Sequence, residues 1–137
     1  TRDIYLQQFR VSKINASFVD ALNKEDLDKM KEKTKELQSA SGESLETLQQ
    51  MGGFEGDAGY LNAALDLITF YKELASEDYP TMNELISRKD KLTQEDVNAF
   101  NKIIEKLNTG GSVLIDKLNR ENETLLKRHI PAPGKRT

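Results

Sequence analysis

Residues 60–75, YLNAALDLITFYKELA, are the most apolar stretch of the chain and decide its fold. Tyr60, Leu61, Ala64, Leu65, Leu67, Ile68, Tyr71, Leu74 and Ala75 recur at steps of three and four, the period of a helix with a wide buried face. This helix is expected to be the most buried of the molecule. Asp66 sits within it on a boundary between Leu65 and Leu67, where a carboxylate stays solvated.

Downstream, Pro80 has no N–H to donate and must end or kink the helix. Tyr79, Met82, Leu85 and Ile86 resume the stripe at once, so the spacing predicts one helix kinked near Pro80 and continuing to about Asp90. Two separate helices are the alternative. Upstream, Phe54-Glu55-Gly56-Asp57 forms a short connection ending in an N-cap, after Gly52 and Gly53 stop the preceding helix. That second helix carries Leu27, Met30, Thr34, Leu37, Leu48 and Met51. Its small-residue patch, Ser39 to Ser44 around Gly42, marks a bend or a close approach by another helix.

The first stripe, Ile4, Leu6, Phe9, Val11, Ile14, Phe18 and Leu22, predicts a helix from about Asp3 to Leu22. Asn23, with Glu25 and Asp26 after it, reads as the cap of the second helix. At the other end, Thr93 and Asp96 resemble a capping box. Val97, Phe100, Ile104, Leu107, Leu114, Leu118 and Leu125 then keep a seven-residue rhythm in which Gly111 takes a core position. One long helix across Thr109-Gly110-Gly111, roughly 50 Å in length, is predicted, ending before Pro131. Connections at 23–24, 52–57 and 90–93 favour an all-α, four-helix up-down-up-down bundle. Residues 1–130 read as one domain and 131–137 as a loose tail. Leu67 and Ile104, taken as core, should each cost roughly 2–5 kcal/mol on change to alanine.

Composition narrows the functions. Of 137 residues, 36% are hydrophobic and 31% charged with a net charge of −3, and acids and bases interleave, which offers no footprint for nucleic acid. The chain has 0 cysteines, which removes thiol chemistry, disulfides, iron–sulfur clusters and cysteine-ligated zinc. No stretch is apolar enough to span a membrane. The chain starts at Thr1 rather than methionine, which fits a removed export signal or a trimmed terminus. With 1 histidine, a di-iron bundle cannot be assembled.

That histidine, His129, falls in the last turn of the last helix, where it complements the helix C-terminus. Its alternative role is a haem ligand of a cytochrome-type or other small-ligand-binding bundle, but no methionine early in the first helix stands ready as a second ligand. Glu43, Glu46, Asp66 and Glu73 could pair for hydrolytic chemistry and read more simply as surface. Asp57 belongs with Glu55 to a capped turn. Tyr5, Phe9, Phe18, Tyr60, Phe70, Tyr71 and Tyr79 are expected in the core. Phe54, in a glycine-flanked connection, is the residue placed to contact a partner. Lys127, Arg128, Lys135 and Arg136 make a weakly basic, solvated end.

Gly56-Asp57, Tyr60, Ala63, Ala64, Leu67 and Phe70-Tyr71-Lys72-Glu73, with Leu126-Lys127-Arg128-His129-Ile130-Pro131, resemble a group of uncharacterised exported bacterial proteins. The resemblance covers most of the chain through packing motifs. It implies a helical bundle of the periplasm or cell surface, often a lipoprotein, with no assigned activity; the cytoplasm is the alternative location. The anchoring cysteine would then lie upstream of Thr1. The expectation is a non-enzymatic protein without cofactor or metal that binds an unidentified protein or envelope component.

Overall fold

A computed structural model describes residues 2–51 and 58–129, and the side chains of residues 3–50 and 58–124. Within them the chain is all-helical and has no strand. Helix α1 spans Arg2–Asn23, α2 Leu27–Met51 and α3 Ala58–Glu73. A π-helical turn, Leu74–Asp78, joins α3 to α4, Tyr79–Ser87. A 3-10 turn, Lys89–Lys91, precedes α5, Gln94–His129.

The central stretch behaves as its composition demands. Tyr60, Leu61, Ala63, Ala64, Leu67, Ile68 and Tyr71 are buried in α3, which packs against α1, α2 and α5. Buried apolar residues from α1, α2, α3, α4 and α5 merge into one cluster. The path from α3 into α4 stays helical, and Pro80 lies in the first turn of α4. There the Tyr79 N–H donates to the Leu74 carbonyl, five residues back. In that register the Ala75 carbonyl falls to residue 80, a proline with no hydrogen to give. Gln38 of α2 supplies it instead, its Nε2 donating to the Ala75 oxygen at 2.7 Å.

Replacing Gln38 with methionine should therefore destabilise the protein by about 1–3 kcal/mol, the cost of an unpaired buried carbonyl. In a Pro80→Ala background, where residue 80 regains its N–H, the same change should cost under about 0.5 kcal/mol. Urea unfolding of the four proteins measures the coupling; equal losses in both backgrounds would refute this origin of the bond.

Several helix ends differ from expectation. Asn23 is the last residue of α1 rather than the cap of α2. The chain leaves α1 through Glu25 at φ 53°, with Asp26 N donating to Ala21 O at 2.9 Å and Glu25 N to Leu22 O at 3.0 Å. Asp26 is the cap, its Oδ1 accepting from Lys29 N at 3.2 Å. The third helical path ends at Ser87 rather than Asp90. The capping box of α5 forms as read: Thr93 N donates to Asp96 Oδ2 at 3.0 Å and Asp96 N to Thr93 Oγ1 at 3.1 Å. Those bonds and the Arg88 guanidinium hold the Asp96 carboxyl below its ordinary value.

The small-residue patch of α2 is a close approach and not a bend. Ala40, Ser41 and Ser44 are buried, and Ser44 Oγ donates to Gln7 Oε1 of α1 at 2.8 Å. Helix α5 crosses its glycine pair unbroken because that pair seats the Phe70 ring. A Cβ on Gly110 would stand 3.1 Å from both Cε1 and Cζ of Phe70, whereas one on Gly111 would meet Cε2 at 3.6 Å. Gly111→Ala should accordingly stabilise the protein by about 0.5–1 kcal/mol through helix propensity. Gly110→Ala should gain less, since Phe70 has to yield. Thermal unfolding measures both, and a clear loss of stability in Gly111→Ala would contradict the packing.

Candidate functional site

The carboxylates that could have formed a hydrolytic pair are exposed on α2 and α3, and two of them are paired with cations. Glu43 of α2 pairs with Arg10 of α1 at 3.0 Å, and Asp66 of α3 pairs with Lys117 of α5 at 3.3 Å. Glu46 accepts from Gln50 at 3.4 Å, and Glu73 is exposed. Among the described residues, no group of three His, Cys, Asp or Glu side chains is placed to hold a metal ion. Among the same residues, no helix is long and apolar enough to cross a membrane. Phe54, Glu55 and Asp57 lie outside the described residues. So do the side chains of Lys127, Arg128 and His129, and all of 131–137.

Among the described residues, the polar side chains inside the bundle are occupied with one another except at Asn83 Oδ1. Tyr79 is fully buried, its ring stacked on Phe18 with centroids 3.7 Å apart and its hydroxyl donating to Asn15 Oδ1. Burial pushes its phenol far above the ordinary tyrosine value, helped by Tyr71 and Asp78. Tyr71 is raised by burial too, against a hydrogen bond with Ser12. Asn83 donates to Thr34 Oγ1 at 3.1 Å, and Thr34 to the Met30 carbonyl at 2.7 Å. The buried Asn83 Oδ1 has no partner. These contacts tie α1, α2 and α4 together, and both phenols are neutral at neutral pH, so neither can serve as a base.

Among the described residues, the exposed large apolar side chains lie on α1 and α5, and those on α1 are grouped within five residues. Tyr5, Leu6 and Phe9 are 50%, 47% and 48% exposed, contrary to their expected place in the core. Tyr5 and Phe9, one helical turn apart, stack with ring centroids 5.9 Å apart. Leu6 and Phe9 also flank a shallow groove toward α2 that includes Arg10, Lys13 and Lys33. Lys33 is paired with Glu36 at 3.0 Å, and Arg10 with Glu43.

The helical period separates this face from the core stripe of α1. At about 100° per residue, Ile4, Val11, Ile14, Phe18 and Leu22 fall within roughly 80° of one another, while Phe9 points nearly opposite and Leu6 about 120° away. Counting them in the same stripe hid them. No protein-family model, curated protein or solved structure matches this chain.

Proposed function

We propose that this chain is a non-enzymatic, up-down-up-down four-helix bundle, its third helix kinked near Pro80, that binds another macromolecule at the cell envelope. Cross-helix pairs support the topology. Gln7–Ser44 and Arg10–Glu43 run α1 against α2. Thr34–Asn83 and Gln38–Ala75 run α2 against the α3–α4 path. Asp66–Lys117 and Asp78–Lys106 run that path against α5. The export setting rests on the resemblance in residues 56–73 and 126–131.

One observation carries the binding role. Tyr5, Leu6 and Phe9 present a contiguous apolar face to solvent from a helix whose other side fills the core. Solvent-facing aromatics of this kind, rimmed by charges such as Arg10 and Lys13, mark interaction sites.

The test is saturable co-sedimentation of labelled protein with isolated envelope fragments. Wild type should bind, and Leu6→Ser combined with Phe9→Ser should weaken binding at least tenfold. The double change should shift the unfolding free energy by no more than about 0.5 kcal/mol, as for other surface substitutions. Equal binding by wild type and variant, or no saturable binding at all, would overturn the reading.

A further inference from the structure

Helix α3 packs against both α1 and α5, and those two helices leave a groove over it. Asn15 and Val19 of α1 form one wall and Asn108, Ser112 and Ile115 of α5 the other, with Tyr71 of α3 in the floor. Gly111 also borders the groove, and with a hydrogen for a side chain it leaves the space between the walls unfilled. The volume is about 320 Å³, at the lower end of the range for small-molecule sites, which in bundles lie between helices.

Asn15 sets this groove apart from a gap in packing. It is 9% exposed, and the Tyr79 hydroxyl donates to its Oδ1, which fixes the amide with its oxygen turned inward. The other end, Nδ2, has no protein partner among the described residues and is not sealed from solvent as Asn83 Oδ1 is. A buried amide held at one end, with no acceptor supplied by the fold at the other, is a preorganised donor. Among the described residues that line the groove, none is a cation or a carboxylate, although 31% of the chain is charged. Tyr71 keeps its proton, because burial holds its phenol above the ordinary value. A carboxylate or ammonium placed there would shed water without meeting a counter-ion. Val19 and Ile115 offer apolar contact from either side, and the Asn108 amide and Ser112 hydroxyl add hydrogen-bond partners on the exposed wall. From this arrangement we propose that the groove binds a small uncharged molecule with a carbonyl oxygen beside an apolar group. The oxygen accepts from Asn15 Nδ2 and the apolar part lies between Val19 and Ile115. The site is separate from the Tyr5–Phe9 face, so its ligand and the macromolecular partner are lost by different substitutions.

Benzamide and benzoate, which share a shape and differ in charge, are the probes, titrated into isotope-labelled protein and followed by NMR. Benzamide should shift the Asn15 side-chain amide and the backbone amides of 107–115 saturably, with a dissociation constant of about 1 mM for a ligand of its size. Benzoate should bind at least tenfold more weakly. Asn15→Asp keeps an oxygen for the Tyr79 hydroxyl and removes the donor, so it should weaken benzamide at least tenfold. Ser112→Phe, at an exposed position, fills the groove instead and should weaken it as much, which keeps the test valid where Asn15→Asp fails to fold. Phe9→Ser should leave the affinity unchanged, and circular dichroism checks the fold of each variant. No saturable shifts with benzamide, or equal binding of benzoate, would overturn the proposal. So would a benzamide affinity indifferent to Ser112→Phe or to a folded Asn15→Asp.

Discussion

Tyr79→Ala should lower the unfolding free energy by about 3–5 kcal/mol, the range for removing a buried aromatic ring. Tyr79 is fully buried and its ring lies flat on Phe18, at an interplanar angle of 13°. Its hydroxyl also holds the Asn15 amide, which is itself buried. Truncation would thus remove the stack, open a cavity where α1 meets α4, and leave Asn15 without its partner. Tyr79→Phe separates these effects. It keeps the ring and loses only the hydrogen bond, so it should cost about 1–2 kcal/mol. Urea unfolding followed by circular dichroism measures both. A loss below about 1 kcal/mol in Tyr79→Ala would mean that this residue does not join the two helices.

Leu67→Ala is the second large effect, expected at about 3–4 kcal/mol. Leu67 is fully buried in α3, which has neighbours on several sides, so the surroundings cannot easily collapse into the space left. Ile104→Ala should cost only about 1–2 kcal/mol, because Ile104 packs against the edge of the core and is only partly buried. Helical spacing alone puts these two residues on an equal footing. Equal losses on denaturation would restore that reading and would mean that α5 is covered on the side toward α1.

The difference between Leu67 and Ile104 shows what period alone can deliver. Alternating steps of three and four identify a helix and its apolar face, and here they located α3, the unbroken α5 and the continuation past Pro80. Capping chemistry was equally local, so the Thr93–Asp96 box could be read directly. How much of a face finds a neighbour is a property of the assembled bundle. The seven-residue rhythm of α5 looks like a full core seam, yet among its described side chains Ile103 and Leu118 are the large ones that are buried, because α3 and α4 cover one flank. On α1, seven apolar residues were merged into one stripe although Leu6 and Phe9 point away from the rest. The cap of α2 was misplaced for a different reason. Glu25 adopts a left-handed conformation usual for glycine, which lets α1 run one residue further and passes the capping role to Asp26.

The role of Gln38 was invisible for the same reason as the reach of α5. The orphaned Ala75 carbonyl follows from Pro80 in a π-helical register, but only the folded chain shows that a residue 37 positions earlier meets it. Glu43, Glu46, Asp66 and Glu73 were legible as surface groups and are found exposed, Glu43 paired with Arg10 and Asp66 with Lys117. Phe54, the residue singled out for partner contact, lies outside the described residues. The exposed face of α1 takes its place in this account.

The central claim is that the outer face of α1 meets a macromolecular partner at the envelope. Site-specific photo-crosslinking in the source cells tests it most directly, with a benzophenone side chain placed at Phe9 and, as a control, at the exposed Lys35 of α2. Position 9 should yield a discrete crosslinked product with an envelope component, absent from position 35 and lost when Leu6 is changed to serine. No discrete product from position 9, the same products from both positions, or a product with a cytosolic component would contradict it.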